Sequence, residues 1–168
     1  MAVDVGSLTE EPVVAGSDRR PTLASGWPDG TFRIVPILRG PILMYTLTVS
    51  TEFIAQHYLT VPDPGPEGNR HSHRYTVELT LEGSTLDDHG YLADIDRIEE
   101  TLAAFADRYG DRTLNDTDGF GDRNPSIENF ARIAVDFFRD RIAASTVDRI
   151  RVTIGEDAVA RATYAAEW

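Results

Sequence analysis

Beyond Met44 the chain falls into regular alternation. Tyr45, Leu47 and Val49 interleave with Thr46, Thr48 and Ser50, the period-two pattern of a strand with one buried face, which predicts a strand over about 45–56. A Pro- and Gly-rich loop at 61–70 follows. The next alternation sets His71, His73, Tyr75, Val77, Leu79 and Leu81 against Ser72, Arg74, Thr76, Glu78, Thr80 and Glu82; it predicts a strand over 71–82, paired with the first as an antiparallel hairpin. After a turn at Asp87-Asp88-His89-Gly90 the period changes. Ile95, Ile98, Leu102, Phe105 and Tyr109 step by three and four residues, the spacing of an amphipathic helix, with Asp94 as its cap and Gly110 at its end. Past a loop containing Asn115, Asp118, Gly119 and Gly121, Ser126 caps a second helix with Ile127, Phe130, Ala134 and Phe138 on one stripe. Strands around Arg149–Ile154 and Val159–Tyr164 complete a β-β-α-α-β-β order. Helices grouped between two hairpins predict an α+β fold, a four-stranded antiparallel sheet with both helices packed on one face.

The N-terminal part lacks such periodicity. Residues 1 to about 30 are rich in Pro, Gly, Ser and acids and read as a disordered or loosely attached tail. A short apolar stretch, Ile34-Val35-Pro36-Ile37-Leu38, breaks at Gly40-Pro41. Residues 1–43 are therefore expected to be an N-terminal extension, either lineage-specific or an over-extended start, and 44–168 a single domain. A chain of 168 residues is long enough for a hydrophobic core.

Charge narrows the partners. The 28 acidic residues outweigh 16 basic ones, all of them arginine, for a net charge of −12, which argues against nucleic acid. Arginine as the only strong base on an acidic chain fits a high-salt cytoplasm, and fits equally a generally acidic surface. The absence of cysteine excludes disulfides, thiolate ligands and a cysteine nucleophile. No long apolar span or export signal is present, so the expectation is a cytoplasmic protein without a membrane partner.

His57, His71 and His73 are three of only four histidines. His71 and His73 share a strand face, so their imidazoles can bind one metal, and His57 would complete a three-histidine set with an open fourth position, the character of catalytic zinc. The alternative is a pair of strand-end histidines lining a wet surface. His89, in its Asp-Asp-His-Gly turn, reads as an exposed loop residue.

The order of local motifs over residues 44–168 resembles the 6-pyruvoyltetrahydropterin synthase family, which includes the 6-carboxytetrahydropterin synthases of queuosine and archaeosine biosynthesis. Phe53-Ile54-Ala55-Gln56-His57-Tyr58-Leu59 is similar to the family's F-x-A-x-H-x-L zinc motif and His71-Ser72-His73 to its H-G-H pair. Tyr91-Leu92-Ala93-Asp94, Leu114-Asn115, Asn124-Pro125-Ser126-Ile127-Glu128-Asn129 and Gly155-Glu156 with Tyr164 resemble further family motifs in their usual order. The resemblance implies the tunnelling fold, in which the sheets of neighbouring subunits join into a barrel and two rings stack. It also implies a homohexamer of two stacked trimers with active sites between subunits, a zinc ion on His57, His71 and His73, and a pterin substrate anchored by Glu156.

Two departures stand out. The family's catalytic cysteine lies four residues before the first histidine of H-x-H, where this chain has Glu67, and its D-H-x-x-L-N loop reads Asp111-Arg112-Thr113-Leu114-Asn115 here. Asp111 is kept and the catalytic histidine is replaced by Arg112. Glutamate replaces the cysteine in one family branch, which cleaves the side chain of 7,8-dihydroneopterin triphosphate to give 6-hydroxymethyl-7,8-dihydropterin. Glu67 is thus either the base or a solvated loop carboxylate. Arg112 either meets the substrate's triphosphate or pairs with Asp111, and Glu128 either partners a helix dipole or lines the pocket. The function implied is a zinc-dependent lyase on 7,8-dihydroneopterin triphosphate or a close relative, with Glu67 and Asp111 catalytic. Its rivals are a zinc- and pterin-binding homologue without turnover and a domain in which zinc only ties strand to loop.

Overall fold

The computed structural model describes residues 44–168; the N-terminal extension expected over 1–43 lies outside the described residues. The elements run β1 (Tyr45–His57), β2 (His71–Gly83), α1 (Ile95–Tyr109), α2 (Ile127–Arg139), β3 (Arg149–Glu156) and β4 (Ala160–Glu167). Single 3-10 turns occupy Gly65–Gly68 and Leu114–Asp116. The sheet has the order β1-β2-β3-β4 with every neighbour antiparallel, and α1 lies against β1 while α2 lies against β3 and β4. This is the α+β arrangement expected from the two periodicities.

Alternation decides which side each strand residue takes. On β2 and β3, Tyr75, Val77, Leu79, Leu81, Ile150, Val152 and Ile154 are fully buried beneath the helices. Helix α1 covers them with Ile98, Leu102, Phe105 and Tyr109, and α2 with Phe130, Ala131, Ala134, Val135 and Phe138. Ile95, expected on the same stripe, stays 47% exposed at the first turn of α1. Both caps form as expected. Asp94 accepts hydrogen bonds from the amides of Asp96 and Arg97, and Ser126 accepts one from that of Asn129. Gly110 ends α1 through close approach, because a Cβ there would stand 2.7 Å from the Ala106 carbonyl oxygen.

The last two strands run further than the hydrophobic pattern suggested. Glu156 still pairs with Tyr75 on one side and Ala160 on the other, while Ala165 and Ala166 continue the ladder opposite Arg151 and Ile150. Pairing with an already formed neighbour overrides alanine's weak strand preference. Glu156 is therefore a strand residue on the helix-covered side.

Among the described residues, the outer face of the sheet is polar and carries no helix. Glu82 pairs with Arg149 and Arg151, Arg161 with Glu78 at 3.2 Å, and the hydroxyls of Thr48 and Thr80 lie 3.0 Å apart. β1 and β4 are the two edges. At one end of β1, residues 111–113 cover the edge: the Asp111 amide donates to the Ile54 carbonyl and the Gln56 amide to the Arg112 carbonyl, each at 2.8 Å.

Phe130 joins the core to the end of the sheet where the histidines lie. Its ring centroid is 5.4 Å from that of Phe105, 5.1 Å from Tyr109, 5.3 Å from Phe120 and 5.6 Å from Tyr75. Truncating such a ring leaves a cavity that the surrounding aromatics can only partly close. Phe130→Ala is expected to lower stability by about 3–5 kcal/mol, read as a lower urea midpoint at fixed protein concentration. A loss below about 1 kcal/mol would show that the cluster does not carry the core.

Candidate metal centre

Strand register brings the three histidines together. His57, the last residue of β1, stands opposite His71, the first of β2, and His73 stands opposite Ala55, so all three side chains share the helix-covered side. Their ring centroids lie 4.6, 5.1 and 4.7 Å apart for the 57/71, 57/73 and 71/73 pairs. Each ring is oriented by a bond at Nδ1. His57 Nδ1 donates to the Pro125 carbonyl at 2.9 Å, His71 Nδ1 to the Asn69 carbonyl at 2.7 Å, and His73 Nδ1 to the Asp157 carboxylate at 2.7 Å. These acceptors have no proton to give, so each neutral ring carries its hydrogen on Nδ1 and turns a bare Nε2 lone pair inward.

The inner space is consequently a collection of acceptors. His57 Nε2 and His71 Nε2 are 3.0 Å apart, Glu67 Oε2 is 3.0 Å from His71 Nε2, and Glu156 Oε1 is 3.3 Å from His57 Nε2. His73 Nε2 is buried without a hydrogen-bond partner among the described residues. Burial lowers the pKa of His57, against the opposing pull of its bond to Pro125 and the charge of Glu156, and so favours the neutral imidazole that ligates metals. Facing lone pairs at 3 Å repel unless a cation lies between them. The donor set fits one: the ligand atoms of His57, Glu67, His71 and His73 all lie within 4.8 Å of one another.

Of the supporting residues, Asp157 carries no signal in the sequence, and the contacts made by the others are not readable from it. Asp157 reaches His73 from the β3–β4 turn and also accepts the Arg74 amide at 3.0 Å. Its bond from His73 holds its carboxyl below the usual range. Tyr75 donates its hydroxyl to Glu156 Oε1 at 3.1 Å, and burial pushes its phenol up, which keeps that donor protonated. Asn115 clasps Tyr58 through both backbone groups, at 3.1 and 2.9 Å, and Asn124 accepts the Thr60 amide at 2.8 Å. Asn129 donates to the Asn124 carbonyl at 2.9 Å. The asparagines thus bind the exit of β1 to the start of α2, which is how the Pro125 carbonyl comes to face His57.

The other sequence-predicted residues fall elsewhere. Asp111 and Arg112 are exposed beside the β1 edge, outside the histidine group. Asp111 has a left-handed backbone, φ 55°, and lines a hollow with Phe53, Ile54 and Gly110. Arg112 lines a separate cleft of about 530 Å³ with Arg108, Asp116 and Asp118. The two side chains thus line different hollows, and no ion pair joins them among the described residues. Glu128 is exposed in the first turn of α2, where it partners the helix dipole. His89 is exposed in its turn.

Outer partners that orient ligating imidazoles commonly contribute one to two decades of metal affinity. At φ 50°, glycine can replace Asp157 without backbone strain. Asp157→Gly is therefore expected to weaken metal binding roughly 10- to 100-fold in a chelator competition, with the fold intact by circular dichroism. Unchanged affinity would show that His73 needs no such support.

Solved structures share this fold. The chain is similar to 6-pyruvoyl tetrahydropterin synthase from Caenorhabditis elegans, with 21% identity and a TM-score of 0.65 over 74% of this chain and 97% of that one. It is also similar to the Plasmodium vivax 6-pyruvoyltetrahydropterin synthase, in a form with a catalytic residue substituted, at 16% identity and a TM-score of 0.64 over 75% of this chain and 99% of that one. The Plasmodium falciparum enzyme matches at 14% identity and a TM-score of 0.57, over 74% and 99% of the two chains. No curated protein matches the chain. The sequence model of 6-pyruvoyl tetrahydropterin synthase matches residues 46–167, from the start of β1 to the end of β4 and across every histidine of the centre, and by that match the chain belongs to the 6-pyruvoyl tetrahydropterin synthase family.

Proposed function

We propose that this protein is a zinc-dependent lyase acting on 7,8-dihydroneopterin triphosphate or a close relative, releasing a 6-substituted pterin, with Glu67 in the place of the family's usual cysteine. The observation that carries this reading is the convergence of three oriented Nε2 lone pairs in a chain of this family. Three imidazoles fit zinc, which when bound supplies Lewis acidity toward side-chain hydroxyls.

The remaining chemistry belongs to the chain. The Glu67 carboxylate, 3.0 Å from His71 Nε2, is the proton acceptor for the hydroxylated side chain. Two Plasmodium vivax structures carry alanine or cysteine in place of a glutamate described as a catalytic residue, which supports a carboxylate in that task. Glu156 reaches the same space from β3, and a carboxylate there can accept two hydrogen bonds from the 2-amino and ring N–H edge of a pterin. Tyr75 holds one of its oxygens and so aims it.

Asp111 and Arg112 enter this reading from a neighbouring subunit, Asp111 to relay protons and Arg112 to meet the triphosphate. Their place on the β1 edge, away from the histidines of their own chain, supports a site between subunits. The proposed assembly is a hexamer of two stacked trimers, supported by the edges of β1 and β4, largely open among the described residues, and by the polar outer face of the sheet, suited to the wall of a wet barrel. No helix among the described residues is long and apolar enough to cross a membrane, and the reading assigns the activity to the cytoplasm.

The replacement of the family's cysteine and histidine by Glu67 and Arg112 favours one other reading, a zinc- and pterin-binding homologue without turnover. Incubation of the zinc-saturated protein with 7,8-dihydroneopterin triphosphate, followed by mass spectrometry of the pterins, separates the two. The lyase is expected to form a new pterin whose mass names the branch, and Glu67→Gln at saturating zinc is expected to slow it by about 10²–10⁴-fold. Unconverted substrate on an assembled, zinc-loaded protein would establish the binding homologue.

A further inference from the structure

Resting on the metal-centre reading above, we propose that Glu67 is itself a fourth metal ligand in the substrate-free protein. It closes the position that three histidines would leave open, and yields that position when a substrate hydroxyl enters.

The geometry is that of a closed four-donor site. The donors of His57, Glu67, His71 and His73 lie within 4.8 Å of one another, and His71 Nε2 stands 3.0 Å from both His57 Nε2 and Glu67 Oε2. Tetrahedral zinc with bonds of about 2.0–2.1 Å sets its ligands roughly 3.3–3.4 Å apart, close to the two pairs made by His71 Nε2, and the remaining donors lie within 4.8 Å. The loop holds Glu67 in this place. The Glu67 carbonyl accepts the Leu59 amide at 2.8 Å, which ties the loop to the exit of β1, and the Asn69 amide donates to the Pro66 carbonyl at 3.0 Å. Pro64 and Pro66 stiffen the turn, Gly65 provides its left-handed φ of 60°, and a Cβ on Gly68 would stand 2.6 Å from Pro64 Cγ. Asn69 in turn orients His71. One stiff turn therefore positions both a histidine and the carboxylate beside it.

Glu156 is the competing carboxylate, with Oε1 3.3 Å from His57 Nε2 and 3.6 Å from His73 Nε2. That oxygen already accepts the Tyr75 hydroxyl, and its side chain is 21% exposed against 55% for Glu67. Glu156 lies on the inner side and Glu67 at the mouth, where a side chain can swing into solvent and return.

Cobalt-loaded protein tests this by its visible spectrum, alongside metal affinity from chelator competition. Wild type is expected to show the strong bands of four-coordinate cobalt, insensitive to azide. Glu67→Ala is expected to become azide-sensitive and to lose roughly tenfold or more in affinity, while Glu156→Gln keeps the wild-type spectrum. Neopterin, which carries the hydroxylated side chain but is already oxidised, is expected to shift wild type toward the Glu67→Ala spectrum. An unaltered spectrum in Glu67→Ala, a spectrum moved only by Glu156→Gln, or no response to neopterin would overturn the proposal and leave the three-histidine centre standing. Failure of wild type to take up stoichiometric metal would overturn both.

Discussion

Three imidazole lone pairs aimed at one point repel one another, and a protein that holds them there must supply both a rigid frame and a positive charge. The frame accounts for much of the structure near the end of β1. His57 and His71 meet because they close a hairpin in register, and the asparagines at 115, 124 and 129 bind the strand exit to the start of α2 so that Pro125 can face His57. Beneath the rings, Tyr75 continues into Phe130 and the aromatic core, which gives the centre a floor that does not yield.

The same frame separates chemical roles within the site. Glu156 is held from below by a buried hydroxyl, whereas Glu67 sits on a proline-stiffened turn with its carboxylate in contact with water. Two carboxylates beside one cation would otherwise be interchangeable. In the function proposed above, tethering one and leaving the other at the mouth would give recognition to the first and proton transfer to the second.

Much of this was legible in the residues, for identifiable reasons. Period-two alternation placed His71 and His73 on the buried side of β2, and the three-four spacing of Ile98, Leu102, Phe105 and Tyr109 located α1. What escaped depends on contacts between distant segments. Asp157 lies 84 positions from His73, the acceptors at Asn69 and Pro125 are backbone carbonyls that every residue possesses, and the strand placement of Glu156 follows from pairing with β2. Asp111 and Arg112 line different hollows, and the left-handed backbone at Asp111 is a conformation that aspartate tolerates without announcing.

Two of the three ligand rings are oriented by main-chain carbonyls, those of Asn69 and Pro125, and only His73 relies on a side chain. A carbonyl survives any substitution at its own position, so the alignment of His57 and His71 is largely insulated from point mutation there. Asp157 alone can be exchanged through a single codon. If the three rings hold a metal ion as proposed, a replacement in the β3–β4 turn would alter the support of His73 alone and leave the orientation of the other two rings unchanged.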